Sequence, residues 1–263
     1  MKLFQVDVFT SQKFKGNPAG VCLTDKFLEV SLMQSLSSEI NASETAFIEL
    51  NNGNFNIRYF TPAKEIPLCG HATLAGAHIL YEQNIIKFQD KCLLHATKND
   101  ILVYNDNNWI TITFPVYDIK YFDSLSKFKN ILNLIPIEAI KSDNNFVVAR
   151  FADWQDIVNI SVNFDVLKQE NFAEILAVTA PSPWPDYDFV VRVFCHPDLG
   201  VTEDPVTGVI NCILAPYWQS KLNKSKLISK QLSKRTGILK FNIIDDKVEI
   251  KGQAITVLDM KLL

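Results

Sequence analysis

Hydrophobic and polar positions alternate from the start of the chain: Phe4, Val6 and Val8 interleave with Gln5 and Asp7, the period-two pattern of a half-buried strand. Thr45-Ala46-Phe47-Ile48-Glu49 and Phe55-Asn56-Ile57-Arg58-Tyr59-Phe60 are two runs of β-forming residues around Asn51-Asn52-Gly53, which predicts a hairpin. A second hairpin is predicted from Ile101-Leu102-Val103-Tyr104 and Ile110-Thr111-Ile112-Thr113-Phe114, separated by four Asn/Asp residues and ended by Pro115, which cannot donate to a ladder. Residues 115–123 read as a linker. Beyond them, residues 122–134 carry helical spacing in Leu125, Phe128, Ile131 and Leu132, and strands return at 146–149 and 189–194. A last hairpin is predicted from 237–241 and 247–251 around Asp245-Asp246.

Two segments break the strand pattern in the same way. Residues 69–80 and 207–218 are each a glycine, Gly70 or Gly208, followed by an almost unbroken apolar run, and helices apolar all round are buried helices. Each lies between groups of strands. The architecture expected is therefore α+β: two similar halves, each a mostly antiparallel, barrel-like sheet wrapped around one central helix.

Composition narrows the function classes. With 26 Lys+Arg against 29 Asp+Glu the net charge is -3, and there is no run of basic residues to track a nucleic acid or an anionic membrane surface. No stretch approaches the ~18 apolar residues of a membrane span, and Gln5 and Asp7 interrupt what would be a signal peptide. The five cysteines are odd in number, dispersed and without a C-x-x-C pair, which points to reduced thiols in a cytoplasmic protein. The expected partner is a small molecule, with no nucleic acid and no membrane.

Candidate chemistry collects at the two helix starts. Unpaired N–H groups and the macrodipole make such ends anion sites. Cys69 and His71 lie at the first, Glu203, Asp204 and Thr207 at the second. On spacing alone Asp204 and Thr207 serve equally well as caps, and Cys69 as a packed small residue or as a thiolate favoured by the helix end. His71, His78, His95 and His196 form no ligand pattern, so no metal is expected. Glu44, at the entry to an apolar strand, is a surface residue unless it points into a dry cleft. There its pKa would rise and it could take and return a proton.

Five motifs, in order, carry a resemblance: Gly16-Asn17-Pro18-Ala19, Ser43-Glu44-Thr45-Ala46-Phe47, Arg58-Tyr59-Phe60-Thr61-Pro62, Leu68-Cys69-Gly70-His71-Ala72-Thr73 and Glu203-Asp204-Pro205-Val206-Thr207-Gly208. With Ala215-Pro216-Tyr217-Trp218 and Arg235-Thr236-Gly237 they extend over almost the whole chain. Together they resemble the phenazine-biosynthesis PhzF-like family of isomerases. The resemblance implies a diaminopimelate-epimerase-like fold of two pseudo-symmetric lobes, 1–115 with 255–263 and 124–254, and a homodimer. It implies a cofactor-independent isomerase that moves a proton on carbon of a small carboxylate in a cleft between two helix N-termini. Glu44 matches the family's acid/base, His71 and Asp204 would touch substrate, and Asn17, Cys69, Gly70, Thr207, Gly208 and Val209 would bind it. Val209 departs from the family's usual serine, which removes one substrate hydrogen bond. Two alternatives remain at this stage: an amino-acid epimerase or racemase using Cys69 with Asp204, and a non-catalytic carboxylate-binding protein of the same fold.

Overall fold

In a computed structural model, residues 1–262 except 52 and 98 are described. Two units divide the chain, Met1–Thr113 with Glu249–Leu263 and Phe114–Val248. In the first, the strands are β1 (Lys2–Val8), β2 (Asn17–Thr24), β3 (Glu44–Asn51), β4 (Asn54–Phe60), β5 (Glu65–Ile66), β6 (Cys92–Ala96), β7 (Asp100–Asp106), β8 (Trp109–Pro115) and, from the returning segment, β17 (Ala254–Met260). Its helices are α1 (Val30–Ile40) and α2 (Gly70–Glu82). The second unit adds β9 (Ile119–Tyr121), α3 (Phe128–Leu132), β10 (Glu138–Ser142), β11 (Phe146–Arg150), α4 (Trp154–Asn159), α5 (Phe164–Gln169), β12 (Ile175–Pro181), β13 (Phe189–Cys195), α6 (Asn211–Leu222), β14 (Lys226–Gln231) and β15 (Gly237–Ile244), with β16 (Lys247–Gly252) at its end. The chain is thus mixed α/β and dominated by strands.

In the first unit β1 pairs antiparallel with β2 and β17, β2 runs parallel to β3, β3 pairs antiparallel with β4, and β4 runs parallel to β6, which pairs antiparallel with β7. Parallel neighbours need a crossover connection. The first holds α1 and the second holds α2. In the second unit the order recurs, antiparallel β10–β11, parallel β11–β12, antiparallel β12–β13, parallel β13–β14 and antiparallel β14–β15, with α4 and α5 in the first crossover and α6 in the second.

Ten of the thirteen residues of α2 are buried, and the helix packs on β1, β2, β3 and β17. Its apolar circumference is explained by that enclosure. Helix α6, with Trp218 stacked on Phe189 of β13 at 5.3 Å, is buried along seven residues. Pro216 in its middle has no N–H to offer the Cys212 carbonyl, which accepts from the Tyr117 N–H at 3.1 Å. Cys212 is core, its thiol pushed up to about 12 by burial.

Four expectations need correction. Strand β1 is buried on both faces as well as paired along both edges: Asp7 is 1% exposed, and its carboxylate accepts the N–H of Phe14, in the loop that follows, at 2.6 Å. The helix expected over 122–134 shrinks to α3, since Phe122 stands outside it and packs edge-on against Phe128. The linker 115–123 contains β9, paired with β10. Helix α6 begins at Asn211, three residues beyond Gly208. Of the first predicted turn, Asn52 lies outside the described residues. Among those described, no helix is long and apolar enough to cross a membrane.

Candidate active site

Three chain segments meet at the N-terminus of α2. Helix α1 ends at Asn41, whose left-handed backbone (φ 51°) lets its N–H return to the Ser37 carbonyl, so the chain turns and enters β3 at Glu44. Alongside, Asn17 opens β2. It is fully buried, and its Oδ1 accepts the Ser43 hydroxyl at 3.2 Å. Cys69, extended at φ -146°, is the N-cap of α2. Thr73 Oγ1 donates to the Cys69 carbonyl at 2.6 Å, so the Tyr59 hydroxyl, 2.6 Å from Thr73 Oγ1, must donate to it. This buried chain from β4 fixes the peptide from which Gly70 and His71 follow. Sequence reasoning did not assign Tyr59 or Thr73, although both lie within the motif runs.

Glu44 Oε2 lies 2.9 Å from His71 Nε2, with side-chain exposures of 20% and 9%. The oxygen is buried, and the groups in contact with the carboxylate are His71 and Cys69. The contact is a short ion pair. Cys69 Sγ lies 3.5 Å from His71 Nδ1. The structure therefore brings Glu44, Cys69, Gly70 and His71 together, with Asn17 one hydrogen bond away through Ser43.

Charge sharing sets the protonation states. Burial pushes Glu44 up, but the positive His71 and contacts with His71 and Cys69 outweigh it, and the carboxyl sits below its ordinary value. The upward shift expected for a glutamate in a dry cleft is therefore reversed, because a dry site with a cation in it is not merely apolar. His71 is held well above 6.5: burial opposes this, and negative charge at Cys69 and Glu44 overcomes it. Cys69 is itself raised by burial and by Glu44, so at neutral pH it is a neutral thiol and Glu44 carries the effect on His71. The resting arrangement is carboxylate, imidazolium, thiol. One donor atom from each of the three lies within 4.8 Å of the others, a spacing that also suits a metal ion, but ligation would require the Cys69 proton to leave.

In the second unit the residues singled out form a braced loop. Thr207 Oγ1 donates to Asp204 Oδ2 at 2.6 Å, Thr207 N–H donates to Gln231 Oε1 at 3.0 Å, and Gln231 Nε2 donates to the Asp204 carbonyl at 2.7 Å. Neither Asp204 nor Thr207 caps α6; the N-cap is Ile210, and Asn211 Nδ2 donates back to the Thr207 and Gly208 carbonyls. Val209 is half-buried in the turn before the helix. Glu203 is committed elsewhere, in a two-bond pair with Arg192 at 2.8 and 3.0 Å.

Comparison with known proteins follows the same motifs. The family model described as phenazine biosynthesis-like protein matches residues 6–260. An uncharacterized isomerase of Halalkalibacterium halodurans is 38% identical over 99% of this chain and 98% of its own length. Among solved structures, a phenazine biosynthesis PhzC/PhzF protein from Clostridium difficile superposes with a TM-score of 0.92 at 33% identity, covering 100% of this chain and 99% of that one. A hydroxyproline epimerase from Agrobacterium vitis, 10% identical with a TM-score of 0.59 over 99% of this chain and 91% of that one, shares the fold alone.

Proposed function

The chain belongs to the phenazine biosynthesis-like protein family, and on that premise we propose that it is a cofactor-independent isomerase that moves a proton on carbon of a small carboxylate, with Glu44 as the acid/base. The observation that carries this reading is the Glu44 carboxylate, ionised and 2.9 Å from the His71 ring at the N-terminus of α2. A carboxylate kept ionised beside a cation and an anion-binding helix end is suited to accept a proton from carbon while the charge that develops is stabilised.

The steps balance without a co-reactant. The carbon-bound proton passes to the Glu44 carboxylate, and the electron pair left behind delocalises into the conjugated carboxylate of the substrate. His71, as imidazolium, and the backbone N–H groups at the N-terminus of α2 stabilise that enolate-like charge. Protonated Glu44 then returns the proton to another carbon. Cys69 as the base is supported less well, because burial and the Glu44 charge keep its proton on sulfur. Asp204, with Thr207, Gly208 and Val209, is proposed as a further substrate contact on the family resemblance, as is the homodimer.

Deuterium wash-in from heavy water over a panel of small amino, hydroxy and cyclic unsaturated carboxylates tests the proposal. Exchange should be abolished in Glu44→Gln with ligand binding kept within about tenfold. Full exchange in that variant, or exchange lost only in Cys69→Ser, would overturn it.

A further inference from the structure

Helix α2 serves a second place. Two turns beyond His71, about 10 Å along the axis, His78, Tyr81 and Glu82 line a cleft of about 270 Å³ that the proposed reaction does not use, closed by Phe88, Asn105 and Gln253 among others. That volume sits just below the ~300–1,000 Å³ of small-molecule sites, so an occupant would be small. No lysine or arginine is among the described residues lining it.

The polar groups in the cleft have one character. The Thr256 hydroxyl donates to Glu82 Oε2 at 2.7 Å, which commits its hydrogen; His78 Nε2, 3.1 Å from Thr256 Oγ1, must then be the donor to that oxygen. His78 is held below its ordinary value by burial, with the Glu82 charge working the other way, so it is neutral near pH 7. Glu82 Oε1 stands 3.7 Å from His78, too far for a hydrogen bond. The carboxylate is thus oriented by a neutral hydroxyl and compensated by no full positive charge from the cleft's own side chains. Asn105 Oδ1 adds a buried acceptor without a partner. The walls beside these acceptors are aromatic: Tyr81 and Phe88 meet edge to face at 6.1 Å, and Phe88 is 48% exposed on the cleft. A carboxylate next to aromatic faces is the combination that selects an organic cation over an anion or a neutral solute.

We propose that this cleft binds a small organic monocation, a primary ammonium on an aromatic or apolar body, with the ammonium on Glu82 and the body against Tyr81 and Phe88. Calorimetric titration of the intact chain with phenethylammonium tests it, against 2-phenylethanol and phenylacetate as the neutral and anionic counterparts. Phenethylammonium should bind at least about tenfold more tightly than either, and Glu82→Gln, which keeps an acceptor for Thr256, should weaken it by at least about tenfold. Phe88→Ala, at a position 48% exposed, should weaken it as well, and Glu44→Gln should leave it unchanged. Absence of binding, equal binding of phenylacetate, or binding that survives both cleft variants overturns the proposal. So does binding lost in Glu44→Gln alone, which would place the amine at the catalytic site. Nα-acetyl-lysine methylamide presents the same ammonium as a protein surface; tighter binding of it than of phenethylammonium would identify a partner's lysine, not a free amine, as the occupant.

Discussion

Glu44 Oε2 and His71 Nε2 stand 2.9 Å apart at the N-terminus of α2, and each reverses what burial alone would do to the other. A solitary buried glutamate would be raised and a solitary buried histidine lowered. Paired, the carboxylate is lowered and the imidazolium raised, so an ionised base and a cation coexist in a dry site.

Replacing Glu44 by Gln removes the negative charge that holds His71 protonated while burial of the ring continues. The His71 pKa should then fall, because one of the two groups that raise it is gone while desolvation remains. Titration of the imidazole by two-dimensional nitrogen–proton NMR in both proteins checks this. An unchanged His71 pKa would mean that the pair is not electrostatically coupled.

The converse variant moves the activity profile. With His71→Gln the cation is gone and burial pushes Glu44 above 4.5, so the acid limb of kcat/KM, where the base becomes protonated, should shift to higher pH. A merely structural role for His71 would lower activity without moving that limb.

Stability should follow the same pair with a definite sign. The lowered Glu44 contributes fully above 4.5 and its contribution is lost as pH falls through its folded value; the raised His71 contributes fully below 6.5 and its contribution is lost as pH rises through its own. Both are in force between 4.5 and 6.5. The Tm deficit of Glu44→Gln should be largest in that window and shrink towards strong acid, as a series of thermal melts across pH would read.

The hydrogen-bonded chain behind Cys69 predicts an asymmetry. Thr73→Val strands the buried Tyr59 hydroxyl and should cost about 1–3 kcal/mol, whereas Tyr59→Phe leaves Thr73 bonded to the Cys69 carbonyl and should cost about 1 kcal/mol or less. Denaturant unfolding of the two variants gives the comparison; equal costs would show that the hydroxyls do not act in series.

Much of this was legible in the sequence wherever local chemistry decides the outcome. The hairpin between β7 and β8 turns at Asn107 and Asn108, both in the left-handed region (φ 52° and 66°) that asparagine tolerates, and Asp245 (φ 52°) begins the last turn in the same way. The two apolar helices were readable because enclosure leaves no polar face. Helix α1 was not: its buried stripe is only Met33, Leu36 and Ser37, its serines favour other conformations, and no side chain caps its start. The pairing of β1 with β17, which returns from the far end of the chain, has no local signal at Asp7. Glu44 and His71 could each be nominated from the motifs, but their contact, and with it shifts opposite to those of burial alone, exists only once β3 and α2 are brought together.

The loop from β1 to β2 makes the last prediction, at Gly16. Its φ is 65°, and a β-carbon built there would overlap the Val8 carbonyl oxygen, a backbone atom that cannot rotate away, besides meeting the Thr10 methyl at 2.7 Å. Gly16→Ala must therefore shift the loop, at a cost of about 1–3 kcal/mol. The next residue is Asn17, whose amide oxygen holds Ser43 beside Glu44. The substitution should lower Tm and also reduce proton exchange by more than Ala replacing Gly53, whose φ of 88° strains its backbone too but whose surroundings are open. Side-by-side melts and exchange rates of the two variants separate the contributions: equal loss of stability with exchange intact in both would show that the Gly16 loop does not position Glu44.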